Sequence, residues 1–133
     1  MSQENVEIVR RIYEQGLFGE DPGRLLNLAT PDVEYVNPAY AIEPGVRRGP
    51  AAVAQAVRSA HEFFESPRYE VDELFDFGDT VVASLRFYAR NRGIETEIVQ
   101  EEVHTWTLRD GRIARVEWGR DLGTALEAAG SRG

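Results

Sequence analysis

Tyr69-Glu70-Val71-Asp72-Glu73-Leu74-Phe75-Asp76-Phe77-Gly78-Asp79 opens the half of the chain that decides the fold. After Ser66-Pro67, apolar residues stop recurring every three or four positions and begin to alternate, the period of a half-buried strand. Gly78-Asp79 supplies a turn. Thr80 to Arg90 continues the alternation, with Val81, Ala83, Leu85 and Phe87 on one face. Asn91-Arg92-Gly93 turns the chain again, and Ile94 to Leu108 reads as a third long strand. Arg109-Asp110-Gly111-Arg112 is a hairpin signal into Ile113 to Arg120. Asp121 then caps a closing helical turn from Leu122 to Ala129, and residues 130–133 read as a frayed tail.

Upstream of this meander the period is helical. Ser2 is placed to cap a helix over about Gln3 to Gln15, with Val6, Val9, Ile12 and Tyr13 on one face and Gly16 as its stop. Asp21-Pro22 starts a second, short helix through Leu25, Leu26 and Leu28. Val33 to Asn37 reads as a short strand ended by Pro38. Pro38, Pro44, Gly45 and Gly49 make residues 38–49 read as loop. Gly49-Pro50 opens a third helix through Phe64, with Val53, Val57, Ala60 and Phe64 on a stripe. Helices followed by a four-strand meander define an α+β domain over residues 1–133. Strands this long must twist and curl, so three helices against one face leave a cone-shaped space between.

The composition bounds what such a space can do. Of 133 residues, 42% are hydrophobic, too many for a disordered acidic chain. Fifteen Lys+Arg against 23 Asp+Glu give a net charge of −8, which argues against nucleic-acid or anionic-membrane binding. The absence of cysteine excludes disulfides, thiolate metal sites and cysteine nucleophiles. There is no G-x-S-x-G elbow, phosphate-binding glycine loop, dinucleotide fingerprint or H-E-x-x-H. No targeting segment or membrane span is evident, and a cytoplasmic location is expected.

The order of elements resembles the nuclear transport factor 2-like superfamily, and within it the SnoaL-like polyketide cyclases. The resemblance rests on Asn5-Val6-Glu7-Ile8-Val9-Arg10-Arg11-Ile12-Tyr13, Asp32-Val33-Glu34-Tyr35-Val36-Asn37-Pro38, Arg48-Gly49-Pro50-Ala51-Ala52-Val53 and Trp106-Thr107-Leu108-Arg109-Asp110-Gly111-Arg112-Ile113. It covers essentially the whole chain. It implies a cone-shaped barrel, a curled and mostly antiparallel sheet wrapped around three N-terminal helices. It also implies a homodimer paired through the outer sheet face, where Glu97, Val99, Glu101 and Val103 fit a partly polar interface. The superfamily holds isomerases, cyclases, dehydratases, epoxide hydrolases and non-enzymes, so the fold leaves the reaction open.

Strand alternation selects the candidate site. Ile98, Gln100, Glu102, His104, Trp106 and Leu108 share one face of the third long strand. If that face points inward, a carboxylate stands roughly 7 Å along the strand from an imidazole, able to set its tautomer or pKa. A solvated edge is the competing reading. By similarity to ketosteroid isomerases, His104 falls near the oxyanion donor and Asn37 near the general base, although asparagine cannot take up a proton. Asn37 is equally read as turn chemistry. Asp121 is a candidate acid/base by similarity to SnoaL-like cyclases, and alternatively a helix cap. The catalytic candidates are therefore His104, Glu102, Asn37 and Asp121. Tyr13, Tyr35, His61, Phe87, Gln100, Trp106, Trp118 and Arg120 are candidate ligand contacts, with His61 also read as a packed core histidine. Arg120 is expected to pair with a carboxylate such as Glu102 or with an anionic substrate group.

The expected function is cofactor-free and metal-free proton transfer on a small, mostly apolar carbonyl or hydroxyl compound: aldol cyclisation, isomerisation or dehydration. A non-catalytic binding domain with a filled or metabolite-holding cavity is the alternative. Two observations discriminate: whether the polar side chains converge on one cavity, or whether Trp106, Trp118 and Phe87 plug it.

Overall fold

The computed structural model describes residues 2–19 and 21–132. Among them the chain forms α1 (Ser2–Glu14), α2 (Gly23–Leu26), β1 (Ala29–Asn37), β2 (Gly45–Arg48), α3 (Pro50–Glu62), β3 (Phe64–Asp76), β4 (Thr80–Asn91), β5 (Ile98–Arg109), β6 (Arg112–Gly119) and α4 (Leu122–Arg132). The strands make one mixed sheet in the order β2-β1-β6-β5-β4-β3. Only β1 and β6 run parallel among these pairs; the others are antiparallel. The class is α+β, with a meander from β3 to β6.

Several details differ from the sequence expectation. The sheet is open, with β2 and β3 as its edges, and does not close into a barrel. It does not wrap three N-terminal helices: α2 is one four-residue turn, and α3 follows two strands. Residues 45–48, read as loop, form β2, because Val46 and Arg48 register against Val36 and Glu34 of β1. That pairing is non-local, and no alternation within four residues reveals it. The break at Ser66-Pro67 is a bulge inside β3, with Ser66 at φ +53° and the register shifting between Glu65 and Arg68. Residues 130–132 are helical and belong to α4. The side chain of Ser2, expected as a cap, and Gly133 of the expected tail lie outside the described residues.

Two turns rest on left-handed backbone. The β5–β6 hairpin holds Asp110 at φ +54° and Gly111 at φ +76°, the signs a type I′ turn requires. At the end of α1, Gly16 sits at φ +63°, with its N–H on the Tyr13 carbonyl and that of Leu17 on the Ile12 carbonyl. These are the two bonds of a Schellman cap, and the buried Ile12 and Leu17 make its apolar contact. The cap reverses the chain and sends Phe18 under the sheet.

The sheet is buried on both faces where β4 and β5 run. Its inner face carries Val81 and Trp106 in one apolar cluster with Val9 and Ile12 of α1 and Val53 and Val57 of α3. On the outer face, Val82 and Val103 lie under Ala125, Leu126 and Ala129 of α4. Val103, expected at a dimer interface, is therefore covered by its own chain. Val99 stays exposed, and Glu97 pairs with Arg68.

Gly16→Ala is expected to cost about 1 kcal/mol in urea unfolding, the strain of a left-handed non-glycine residue. Gly19→Ala, with open space at its Cβ position and no positive φ, should be near neutral. Equal costs would contradict the cap.

Candidate functional site

The inward reading of β5 holds. His104 is 1% exposed and Glu102 9%. Across the strand pair Ala83 lies opposite His104 and Leu85 opposite Glu102, so a small and an apolar side chain adjoin the polar strip. Glu102 Oε1 lies 3.0 Å from His104 Nε2, and Gln100 Nε2 donates to Glu102 Oε2 at 3.1 Å. On the other side of the ring, His104 Nδ1 is 2.6 Å from the Tyr13 hydroxyl, which also accepts the Trp106 indole N–H at 2.8 Å.

Donor bookkeeping orients this chain. The indole only donates, so the Tyr13 oxygen is its acceptor. Burial pushes the Tyr13 pKa well above the ordinary phenol value; Trp106 opposes this in part and the Glu102 charge adds to it. The phenol keeps its proton, and its partner His104 Nδ1 is the acceptor. In the neutral imidazole the remaining proton is then on Nε2, donated to Glu102. Three side chains of β5 and one of α1 thus form a directed line: Trp106 to Tyr13 to His104 to Glu102.

A second phenol–imidazole pair stands nearby. His61 Nδ1 is 2.7 Å from the Val57 carbonyl one helical turn back, which can only accept, so this nitrogen carries a proton. Its Nε2 lies 2.7 Å from the Tyr69 hydroxyl. Burial first, and then the Glu102 charge, raise the pKa values of Tyr69 and Tyr35. Glu102 therefore acts electrostatically on Tyr13, Tyr35 and Tyr69 together.

Phe18 fills the space between these groups. Its ring centroid lies 5.1 Å from His104, 5.3 Å from His61, and 5.6 Å from both Tyr69 and Trp106. Beside it opens a cleft of about 370 Å³, lined by Ile12, Tyr13, Gly16, Phe18, Pro67 and Tyr69 among others. Sequence reasoning missed Phe18 and Tyr69 as site residues. For Phe18 the available signal was an aromatic residue set between Gly16 and Gly19.

Other candidates lie elsewhere. Asn37 spends both ends of its amide locally: Oδ1 accepts the Trp118 indole N–H at 2.6 Å, and Nδ2 donates to the Glu43 carbonyl at 2.8 Å. Arg120, expected to pair with a carboxylate, is exposed, with its guanidinium 5.5 Å from the centre of the Tyr40 ring. Asp121 caps α4 by accepting the Thr124 N–H at 3.1 Å, and these backbone bonds lower its pKa. Trp118, Arg120 and Asp121 border a groove of about 270 Å³ that also includes Val103, Thr105 and Ala125. The structure thus brings Gln100, Glu102, His104, Tyr13 and Trp106 together, sets His61 with Tyr69, and leaves Asn37, Arg120 and Asp121 outside that network. Of the expected plugs, Trp106 and Phe87 are buried in the walls, while Trp118 is half-buried. Among the described residues no group of three or more His, Cys, Asp or Glu is arranged to hold a metal ion, and no helix is long and apolar enough to cross a membrane.

This open mixed sheet with helices on its inner face is the nuclear transport factor 2-like fold. The SnoaL-like domain model matches residues 9–116, and the chain belongs to that family. A structure from Jannaschia sp. CCS1, provisionally classed as a SnoaL-like polyketide cyclase, is 20% identical with TM-score 0.77, covering 98% of this chain and 94% of that one. TerC, co-crystallised with polyporic acid, is 27% identical with TM-score 0.70 over 95% and 98% of the two chains. A hypothetical protein with a ketosteroid isomerase-like fold from Catenulispora acidiphila DSM 44928, in complex with trimethylamine, is 18% identical with TM-score 0.73 over 93% and 92%. No curated protein matches the sequence.

Tyr13→Phe leaves the buried Trp106 N–H and His104 Nδ1 without their partner and should cost about 1–3 kcal/mol in urea unfolding. A change below about 0.5 kcal/mol would contradict the network. The phenols also set an alkaline limit. Their folded pKa values lie above the unfolded value of about 10, so their contribution is complete below that pH and is lost as pH rises through the folded values. Near-ultraviolet titration should show these tyrosines ionising together with unfolding. Reversible ionisation of all five tyrosines in a native protein would count against this.

Proposed function

We propose that residues 1–133 act as one SnoaL-like domain that takes a small, mostly apolar carbonyl or hydroxyl compound beneath the sheet and moves a proton on it without a cofactor. The observation that carries this reading is the directed line from Trp106 through Tyr13 and His104 to Glu102. The Tyr13 oxygen accepts one hydrogen bond from the indole and keeps a second lone pair for a substrate proton. As that proton arrives, the phenol proton passes to His104 Nδ1, and the resulting imidazolium lies against the Glu102 carboxylate. Running the steps in reverse returns a proton to product. His104 is thus the base, Tyr13 its relay, and Glu102 the residue that holds the tautomer and balances the charge. The 133 residues include no lysine, so aldol or isomerase chemistry here runs through an enolate rather than a Schiff base.

The reaction class is a proton transfer of the aldol cyclase, isomerase or dehydratase type. Similar folds that hold polyporic acid or trimethylamine support a small-molecule ligand. One observation favours a second, non-catalytic reading: Phe18 occupies the centre of the space, as it would in a filled structural domain. We place the protein in the cytoplasm as a homodimer formed through the outer sheet face around Val99, beyond the part that α4 covers. Light scattering at micromolar concentration should then give twice the chain mass, and Val99→Glu should return it to monomer. A monomeric parent would contradict the pairing.

Solvent deuterium exchange into the α-position of β-tetralone, followed by NMR, tests the chemistry. The parent protein should accelerate exchange over buffer, with His104→Ala and Glu102→Gln lowering the rate by roughly 10²–10³-fold. An unchanged rate in a folded His104→Ala variant would sink the assignment.

A further inference from the structure

We propose that Phe18 is a displaceable stand-in for the ligand: the site takes a flat aromatic ring bearing a hydroxyl or carbonyl oxygen, and that ring replaces the Phe18 ring when it binds. This rests on the reading of the space beneath the sheet as a small-molecule site and adds the class of molecule and its mode of entry.

The shape of the space is the first argument. The Phe18 ring meets His61, His104 and Trp106 edge-on, at interplanar angles of 86°, 71° and 77°, and lies tilted against Tyr35 and Tyr69. Five side-chain rings therefore enclose the outline of one more, and edge-to-face contact is the arrangement aromatic pairs favour. The walls are the second argument. The ring belongs to the apolar core, yet it lies between two phenol–imidazole pairs, Tyr13–His104 and Tyr69–His61. A benzene ring makes no hydrogen bond to any of these groups. A ring carrying an oxygen can present it to Tyr13 or Tyr69.

The route in is the third argument. Tyr13, Phe18 and Tyr69 line the 370 Å³ cleft, so the ring that fills the enclosed space also borders an opening of ligand size. Phe18 belongs to no helix or strand; it follows the Schellman cap at Gly16 and precedes Gly19. Neither glycine has a group beyond its chain neighbours within 4 Å of its Cβ position, so the backbone flanking Leu17–Phe18 is unpacked on that side. Leu17 is anchored by its bond to Ile12, and Phe18 can turn into the cleft while α1 stays in place.

The closed ring lowers affinity by the fraction of molecules in the open form, and removing the ring removes that penalty. β-Naphthol is a suitable probe because it carries the ring and the hydroxyl but has no reaction to undergo. Titration calorimetry should show Phe18→Ala binding β-naphthol roughly tenfold more tightly than the parent chain, with Phe18→Leu between them. Phe18→Leu keeps most of the apolar volume and carries the comparison if the alanine variant does not fold. In the parent protein, Phe18 ring protons, shifted by five neighbouring rings, should move toward exposed values on saturation. Equal or weaker binding by folded variants, or unmoved Phe18 signals in the bound parent, overturns the inference and leaves the proton-transfer reading standing. Phe18-dependent binding together with unchanged exchange in His104→Ala overturns the assigned chemistry and leaves this inference standing. No binding by any of the three proteins overturns the inference too, and the proton-transfer reading then stands or falls on the exchange measurement.

Discussion

The hydroxyl of Tyr13 is the junction on which the site depends. It is supplied by α1 and satisfied by two residues of β5, the Trp106 indole and the His104 imidazole. Apolar burial is non-directional and would let the helix slide over the sheet by small steps. A phenol held by one donor and one acceptor cannot slide without leaving buried polar groups unpaired, which costs more than an apolar contact gains. The same bond that docks α1 therefore also fixes which nitrogen of His104 carries a proton. Packing and chemistry share one group.

From that junction the rest of the inner face follows. Glu102 receives the His104 and Gln100 donors, and its charge reaches Tyr35 and Tyr69 as well as Tyr13. The second imidazole, on α3, is oriented by its own helix through the Val57 carbonyl. The two histidines thus face a shared space with opposite nitrogens protonated: Nε2 in His104 and Nδ1 in His61. Phe18 lies between them because the Gly16 cap turns the chain inward at the end of α1. The outer face has a separate role, since α4 buries Val82 and Val103 there and Asp121 serves as the start of that helix.

What could be read in advance depended on whether the signal was local. The alternation of Val81, Ala83, Leu85 and Phe87, and the Asp110-Gly111 hairpin, state strand and turn within a few residues. The face shared by Gln100, Glu102, His104 and Trp106 follows from the two-residue period alone. Tyr13 was legible only as a hydroxyl on the apolar face of α1; its union with Trp106 spans 93 positions and leaves no trace in spacing. β2 was hidden because four residues among prolines and glycines show no alternation, and its partner is β1. The family resemblance pointed to Asn37 and Asp121, yet the first holds the Trp118 indole and the second caps a helix. A position shared with relatives fixes where a side chain starts, not what it bonds to. Phe18 escaped notice because an apolar residue in a loop has no periodicity to read.

Histidine imidazole tautomers test the central claim most directly. Two-bond proton–nitrogen correlation spectra of ¹⁵N-histidine-labelled protein, taken where both rings are neutral, read each nitrogen separately, and the chain has two histidines to assign. The account predicts His104 as the Nε2–H form and His61 as the Nδ1–H form, with the His104 pattern lost in Tyr13→Phe. His104 as the Nδ1–H form, or one tautomer for both rings, would contradict the line from Trp106 to Glu102 on which the proposed chemistry stands.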